Sequence, residues 1–367
     1  MSDVIVIGGG IAGISAAAEI AASGADVTLL EAESQLAYHT TGRSAALFFE
    51  NYGHPTVRAL SRASRAYFEN PPIGTVDSPI LSPRGAMVVA PPDQVRTLRD
   101  QIEEGRRHGT EVLELTAEEA CGLVPVLRAE MVAAASYEAD AADMDVAAIH
   151  QSYVRTFRGC GGTVVTSARV TSLEPGQQWT ATTGDGARYS ARVVINAAGA
   201  WCDHVAAMAG ARQVGLVPKR RTVFMVTGPA RSAEWPLTVD AAHTFYFKPD
   251  GPQLLCSPAD ETPTEPADAR PEELDIALAI ERINEMTTLG IRSIRSSWAG
   301  LRSFVADGGM VIGFDGDIES FFWLAGQGGT GIQTAPAAAR LAADLVTGVP
   351  PRSGIDPAPF TPTRLQV

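Results

Sequence analysis

Val4-Ile5-Val6-Ile7-Gly8-Gly9-Gly10-Ile11-Ala12-Gly13 decides how the chain begins to fold. Four consecutive apolar residues predict a short strand buried on both faces of a parallel sheet. Gly8, Gly10 and Gly13 then form G-x-G-x-x-G, and an Ala-rich stretch from about Ile14 to Ala22 predicts a helix. Gly24 ends that helix, and Asp26 to Leu30 reads as the next strand, closing at Glu31. Gly8 permits the tight turn, Gly10 lets the backbone approach a pyrophosphate, and Gly13 lets helix and strand pack closely. The helix dipole and the exposed N–H groups beside Ile11 and Ala12 favour the phosphate charge. Glu31, with Ala32 after it, stands about 18 residues beyond Gly13, where a carboxylate accepts hydrogen bonds from an adenosine ribose. Glycine-rich turns alone are common, but strand, glycines, helix, strand and acid in one βαβ unit predict a bound dinucleotide. On these residues alone NAD and FAD both fit.

The rest of the composition narrows the class. The 367 residues are 45% hydrophobic and 19% charged, enough for a large core and more than one domain. A net charge of -13 argues against nucleic acid, which needs a basic surface. Cys121, Cys160, Cys202 and Cys256 are scattered without a C-x-x-C pair, so neither disulfide framework nor zinc site is expected. The histidines are equally scattered, and no metal is expected. The apolar start carries Asp3, Glu19 and three glycines, which suits strand-turn-helix better than a secretion signal. No run of about 18 apolar residues follows, so no transmembrane segment and a cytoplasmic location are expected.

Three later segments favour FAD. Tyr38-His39-Thr40-Thr41-Gly42-Arg43-Ser44-Ala45-Ala46 is polar, with small residues that let backbone donors approach a ligand. Val193 to Trp201 reads as another buried strand ending in small residues, among them Ala198 and Gly199. Phe321 to Ala325 leads into Gly326-Gln327-Gly328-Gly329-Thr330-Gly331 and an Ala-rich helix to about Val346, a second strand–glycine–helix junction. Its helix N-terminus would stabilise negative charge on a reduced flavin.

With these segments the chain resembles the D-amino-acid oxidase superfamily of FAD-dependent amine oxidoreductases, and within it bacterial D-arginine dehydrogenase. The likeness runs in order through His39–Ala46, Asn70-Pro71-Pro72, Leu81–Arg84, Asn196–Asp203, Pro218–Arg221, Phe245–Asp250, Trp298–Asp307 and Gln327–Thr334. It implies an α/β fold in which a Rossmann-like FAD-binding domain (1–77, 143–214 and 303–367) interleaves with an α+β, mixed-sheet substrate domain (78–142 and 215–302). The Ser257–Glu273 stretch reads as a solvent-facing loop. The resemblance implies FAD contacts at Gly8, Gly10, Ile11, Ala12, Gly13, Glu31, Ala32, Thr40, Thr41, Gly42, Arg43, Ser44 and Ala45. It adds Val170, Ala198, Gly199, Trp201 and Arg302, and at the second junction Gly329, Thr330, Gly331, Ile332 and Gln333. Relatives with a covalent flavin use a cysteine near that junction. This chain has none there, so noncovalent FAD is expected.

The resemblance also implies a substrate site. Arg221 and Arg302 would grip a carboxylate, because a guanidinium is a planar fork matched to it. Tyr246 and Tyr52 would offer hydroxyls, with Tyr52 on a lid from Leu47 to His54. Gly328 and Gly329 would border the pocket. Lys219 and Arg220 are expected to face solvent. Two departures from the D-arginine pattern matter: Ala86 stands where an acid pairs with a cationic side chain, and Leu47 and Phe49 replace polar residues. A cationic side chain would then be buried unpaired, at a cost of several kcal/mol, unless Glu50 points inward.

The expected reaction is oxidative deamination of a D-amino acid with an apolar or neutral side chain, by hydride transfer to flavin N5. It would give a 2-oxo acid and ammonia, with oxygen or a quinone as electron acceptor. Positioning by the two arginines would supply most of the catalysis, and no protein base is needed. The alternatives are glycine, sarcosine or another secondary amino acid on the same scaffold, or a flavin-binding subunit without turnover.

Overall fold

The computed structural model describes residues 2–107, 109 and 111–365. Gln366 and Val367, the end of the expected FAD-binding domain, lie outside the described residues. Strand Ser2–Ile7 is central to an eight-stranded sheet, parallel to Val27–Leu30 on one side and Arg188–Asn196 on the other. Thr163–Val165 and Phe321–Ala325 continue the parallel run outward. Val170–Glu174, Trp179–Thr183 and Val311–Phe314 add antiparallel strands.

Alternation along the first strand explains the layering. Val4 and Val6 enter a core shared with helices Ile11–Ala22, Val146–Gly159 and Gly331–Thr347. Ile5 and Ile7 enter a second core with Val205, Phe321 and Trp323 on the opposite face. Side chains two apart share a face, so an unbroken apolar run needs cover on both. The helix begins at Ile11, earlier than the composition suggests, because Thr41 Oγ1 accepts the otherwise orphaned Ile11 N–H at 3.0 Å.

A nine-stranded mixed sheet forms the other layer, with the long antiparallel pair Val217–Thr227 and Ser296–Phe304 at one edge. Its other strands are antiparallel except where Leu237–Asp240 runs parallel to Ala86–Ala90. One face packs on helix Glu273–Met286 through Phe224, Val226 and Phe247. The other carries Val223, Val239 and Tyr246 toward Leu47 and Phe49. Leu47–Phe48 itself belongs to a small three-stranded sheet with Ala142–Met144 and Leu81–Pro83. The architecture is thus mixed α/β, as expected. No helix among the described residues is long and apolar enough to cross a membrane.

One acid in this framework is poorly accommodated. Glu138 ends strand Ala134–Glu138, is 8% exposed, and accepts from Asn51 Nδ2 at 3.2 Å. Burial, reinforced by the charges of Glu50 and Asp140, pushes its carboxyl up to about 7 against the opposing effects of Asn51 and Arg58. Such a raised carboxyl costs stability once ionised: the loss begins near the unfolded value of 4.5 and is complete above about 7. Glu138→Gln is therefore expected to stabilise the protein by about 3 kcal/mol at pH 8 and by almost nothing at pH 4. Denaturant unfolding at both pH values checks it, and an equal gain at both would contradict the assignment.

Candidate active site

The glycine turn, the second strand–glycine junction and both arginines open on one continuous cavity of about 860 Å³, within the range of cofactor and ligand sites. At one end the backbone geometry is dictated by close approach. Gly8 has φ +111°, and a Cβ there would lie 2.4 Å from the Ala197 carbonyl oxygen. A Cβ on Gly13 would lie 1.9 Å from Gly8 O, so the helix packs on the turn only because Gly13 lacks one. Gly10 differs: its Cβ would meet only Thr41 Oγ1, at 3.3 Å, and the residue lines the cavity. The opening before the helix N-terminus is the cradle a pyrophosphate requires. Glu31 Oε2 accepts from Gly9 N at 2.6 Å and Oε1 from Glu33 N at 2.8 Å. Buried His150 fixes the turn from behind, with Nε2 3.0 Å from Gly9 O. These residues fit an adenine dinucleotide.

At the other end the pairing of Val217–Thr227 with Ser296–Phe304 sets Lys219 opposite Arg302 and Arg221 opposite Gly300. Arg221 is 8% exposed; its Nε donates to Asp260 O at 2.8 Å and its Nη2 to Glu261 Oε1 at 3.0 Å. Arg302 has one hydrogen-bond partner among the described residues, the Tyr52 hydroxyl, at 3.4 Å. Burial, and then the charge of Arg302, lower the Arg221 pKa, although nearby Tyr246, Tyr52 and Glu261 oppose this. Two neighbouring guanidiniums in an apolar-walled cavity create a demand for an anion. Leu47, Phe49, Val223, Leu237, Val239 and Tyr246 form those walls. His243 joins them, its pKa lowered chiefly by burial.

Most expected positions line this cavity: Arg221, Arg302, Tyr246, Tyr52, Leu47, Phe49, Gly328 and Gly329 among those expected for substrate, and Ala32, Thr40, Ser44, Ala45, Val170, Ala198, Gly199 and Trp201 among those expected for the cofactor. Four do not line it. Gly13 serves packing, Gly42 donates to Ala37 O, Thr330 precedes the last long helix with its hydroxyl donating to Gln327 O, and Ala86 is buried in the apolar cluster behind the wall. Two more line it with their side chains committed elsewhere. The Arg43 guanidinium is held by Asp268, Ala269 O and Ala299 O. The Gln333 amide clasps both backbone groups of Phe49 and the Ser61 hydroxyl.

Two expectations are corrected, and a point the sequence left open is answered. Glu50, whose direction the sequence does not give, is not a pocket carboxylate: it pairs with Arg65 at 2.5 Å. Lys219 and Arg220 do not simply face solvent: both are half-buried, Lys219 paired with Glu261 and Arg220 with Asp260, Glu272 and Asp275. The Ser257–Glu273 stretch is not merely a solvent-facing loop, since Ser257 and Asp260 are buried against Thr222 and Glu261 lines the cavity. Glu261 and His243 were missed because neither sits in a periodic or motif-bearing segment.

Comparison with known proteins agrees with the fold and with FAD as the cofactor. The profile of the family described as FAD dependent oxidoreductase matches residues 3–345. A curated relative, glycine oxidase of Pseudomonas aeruginosa, is 29% identical, the match covering 98% of each protein. FAD-dependent oxidoreductase domain-containing protein 1 of Mus musculus is 24% identical over 99% of this chain and 84% of its own length. Among solved structures, glycine oxidase from Geobacillus kaustophilus superposes with a TM-score of 0.88 at 22% identity, covering 99% of this chain and 98% of that one.

The floor beneath Arg302 gives a direct test. A Cβ on Gly329 would lie 2.6 Å from Arg302 Nη1 and 2.8 Å from Cζ. The clash falls on the end of a flexible side chain, so Gly329→Ala should fold normally but displace the guanidinium. Affinity for acetate, measured by titrating the FAD-loaded protein, is expected to fall at least about tenfold with the melting temperature nearly unchanged.

Proposed function

The chain belongs to the FAD dependent oxidoreductase family, and from that premise we propose that it oxidises the carbon–nitrogen bond of a small amino acid. Glycine, sarcosine and other short or N-alkylated amino acids are the favoured substrates. The reading rests on one observation: the Arg302 guanidinium opens into the same cavity as the dinucleotide turn, between apolar walls. The relatives support glycine-type substrates better than a general D-amino acid. They give no support to the likeness with D-arginine dehydrogenase, which the loss of an acid at Ala86 and the commitment of Glu50 to Arg65 also weaken.

FAD, when bound, supplies the two-electron acceptor. On our reading Gly8, Gly10 and Glu31 hold it noncovalently, and Arg302 takes the substrate carboxylate. Tyr246 and Tyr52 close the site around the carboxylate, and Leu47, Phe49, Val223 and Val239 exclude water and leave room only for a small or apolar substituent. No carboxylate or histidine need remove a proton from carbon. The amine must arrive neutral, so its lone pair can drive loss of the α-hydrogen with its electron pair. Burial keeps His243 from adding a positive charge at neutral pH.

Anaerobic mixing of the purified yellow protein with glycine, sarcosine and D-alanine tests the proposal. Bleaching by at least one of them is expected, with kcat/KM rising as pH increases toward the substrate amine pKa. Arg302→Met should raise KM by roughly 100-fold, the effect of about 3 kcal/mol from a charge-assisted pair. Flavin that stays oxidised with every amino acid would point instead to a non-catalytic flavin-binding subunit.

A further inference from the structure

We propose that Glu261 sets the charge of the substrate pocket, so that the site takes an amino acid with one carboxylate and rejects one with two. The inference rests on the reading of the cavity as an amino-acid oxidation site. The two arginines are not equivalent. The Nε/Nη2 edge of Arg221, one of the two edges on which a guanidinium can grip a carboxylate in parallel bonds, already holds Asp260 O and Glu261 Oε1. Arg302 keeps its edge open, with only a long contact to the Tyr52 hydroxyl. Arg302 is the fork that receives a ligand, and Arg221 is the partner of a resident acid.

That acid is firmly held. Asp260, the preceding residue, accepts from Thr222 N at 2.6 Å and Thr222 Oγ1 at 3.0 Å. Ser257 Oγ donates to Thr222 O at 2.6 Å and accepts from Ala259 N at 3.0 Å. These bonds staple the backbone beside Glu261 to the strand that carries Arg221, and the Glu261 carboxylate itself is held by Arg221 Nη2 at 3.0 Å. Its second oxygen accepts from Lys219 Nζ at 3.0 Å, and that ammonium also lies 4.9 Å over the Phe304 ring.

Charge follows from the geometry. Among the residues that line this end of the cavity Arg221 and Arg302 contribute two positive charges and Glu261 one negative charge, while Lys219, outside the lining, shares the other oxygen of Glu261; the resident acid thus reduces the demand of the two arginines for carboxylates from the ligand. A second carboxylate would meet the Glu261 charge at the cavity wall, where the side chain is 42% exposed and the repulsion is tempered by solvent but still disfavours a second anion. A cationic side chain gains little, because Glu261 is already shared between Arg221 and Lys219. The pocket therefore selects on charge as well as on size, through a residue outside the arginine–tyrosine set.

Calorimetric titration of the FAD-loaded protein with acetate and with malonate tests the proposal. Wild type should bind acetate at least tenfold more tightly than malonate. Glu261→Gln should shift the acetate-to-malonate preference at least tenfold toward malonate, with unfolding temperature as the folding control. Lys219→Met, which leaves Glu261 facing Arg221 alone, should shift the preference the opposite way and stands as the second readout if Glu261→Gln does not fold. Acetate binding with a preference unmoved by either variant overturns the role of Glu261 and leaves amino-acid oxidation standing. Failure of wild type to bind either acid, together with no bleaching by amino acids, overturns both.

Discussion

The contact on which the rest depends is between Gly13 and the carbonyl of Gly8. A single methyl group there would sit 1.9 Å from a backbone oxygen, so helix Ile11–Ala22 and strand Ser2–Ile7 could not keep their present separation. That separation aims the helix N-terminus into the cavity and lets Glu31 reach the N–H of Gly9. It also puts the helix against Gly331–Thr347, whose own N-terminal glycines form the floor under Arg302. One close approach thereby fixes both glycine junctions. The substrate end inherits its position from them, because Gly329 must be bare for the guanidinium to lie across it.

The second constraint is electrostatic. Burying two guanidiniums beside each other is unfavourable unless other groups offset the lost hydration. The fold offsets it unequally: Arg221 receives a carbonyl and a carboxylate, whereas Arg302 receives a distant phenol. An incompletely satisfied cation within apolar walls is poised for an anionic ligand, since the ligand restores what folding removed. The same reasoning explains the neighbouring strand face. Arg220 points away from the cavity and is satisfied by three carboxylates, including two at the start of helix Glu273–Met286.

Local pattern made much of this legible in the sequence. The apolar run Val4–Ile7, the spacing of Gly8, Gly10 and Gly13, and the acid at Glu31 are short-range signals with fixed physical meanings, and each fell where the fold puts it. The second junction at Gly326–Gly331 was legible for the same reason. Arg221, Arg302, Tyr246 and Tyr52 needed the family likeness, because an arginine in a strand carries no sign of whether it faces a ligand or an ion pair. Glu261 was illegible by either route. It sits in a stretch rich in Pro, Ala and acids, whose composition reads as solvated, and only pairing of Thr262–Pro263 with Lys219 and Arg220 draws it inward. Glu50 shows the converse: the chain places it within the segment expected to form a lid, but Arg65, one turn from the end of helix Pro55–Glu69, claims it.

The lid itself is more constrained than its sequence implies. Leu47–Phe48 pairs with Ala142 and Asp143, and Gln333 holds both backbone groups of Phe49. His54 then caps helix Pro55–Glu69. Between these anchors lie Glu50, Asn51, Tyr52 and Gly53, and Gly53, with φ +95°, occupies a conformation that resists any side chain. Tyr52 N–H donates to Phe49 O at 3.2 Å and Gly53 O accepts from Arg58; Glu50 is tied to Arg65 and Asn51 to Glu138, while the Tyr52 hydroxyl has only the long contact to Arg302. A ligand carboxylate that takes Arg302 would compete for that contact, so entry and release can be coupled to movement of a single phenol. The rest of the segment need not open.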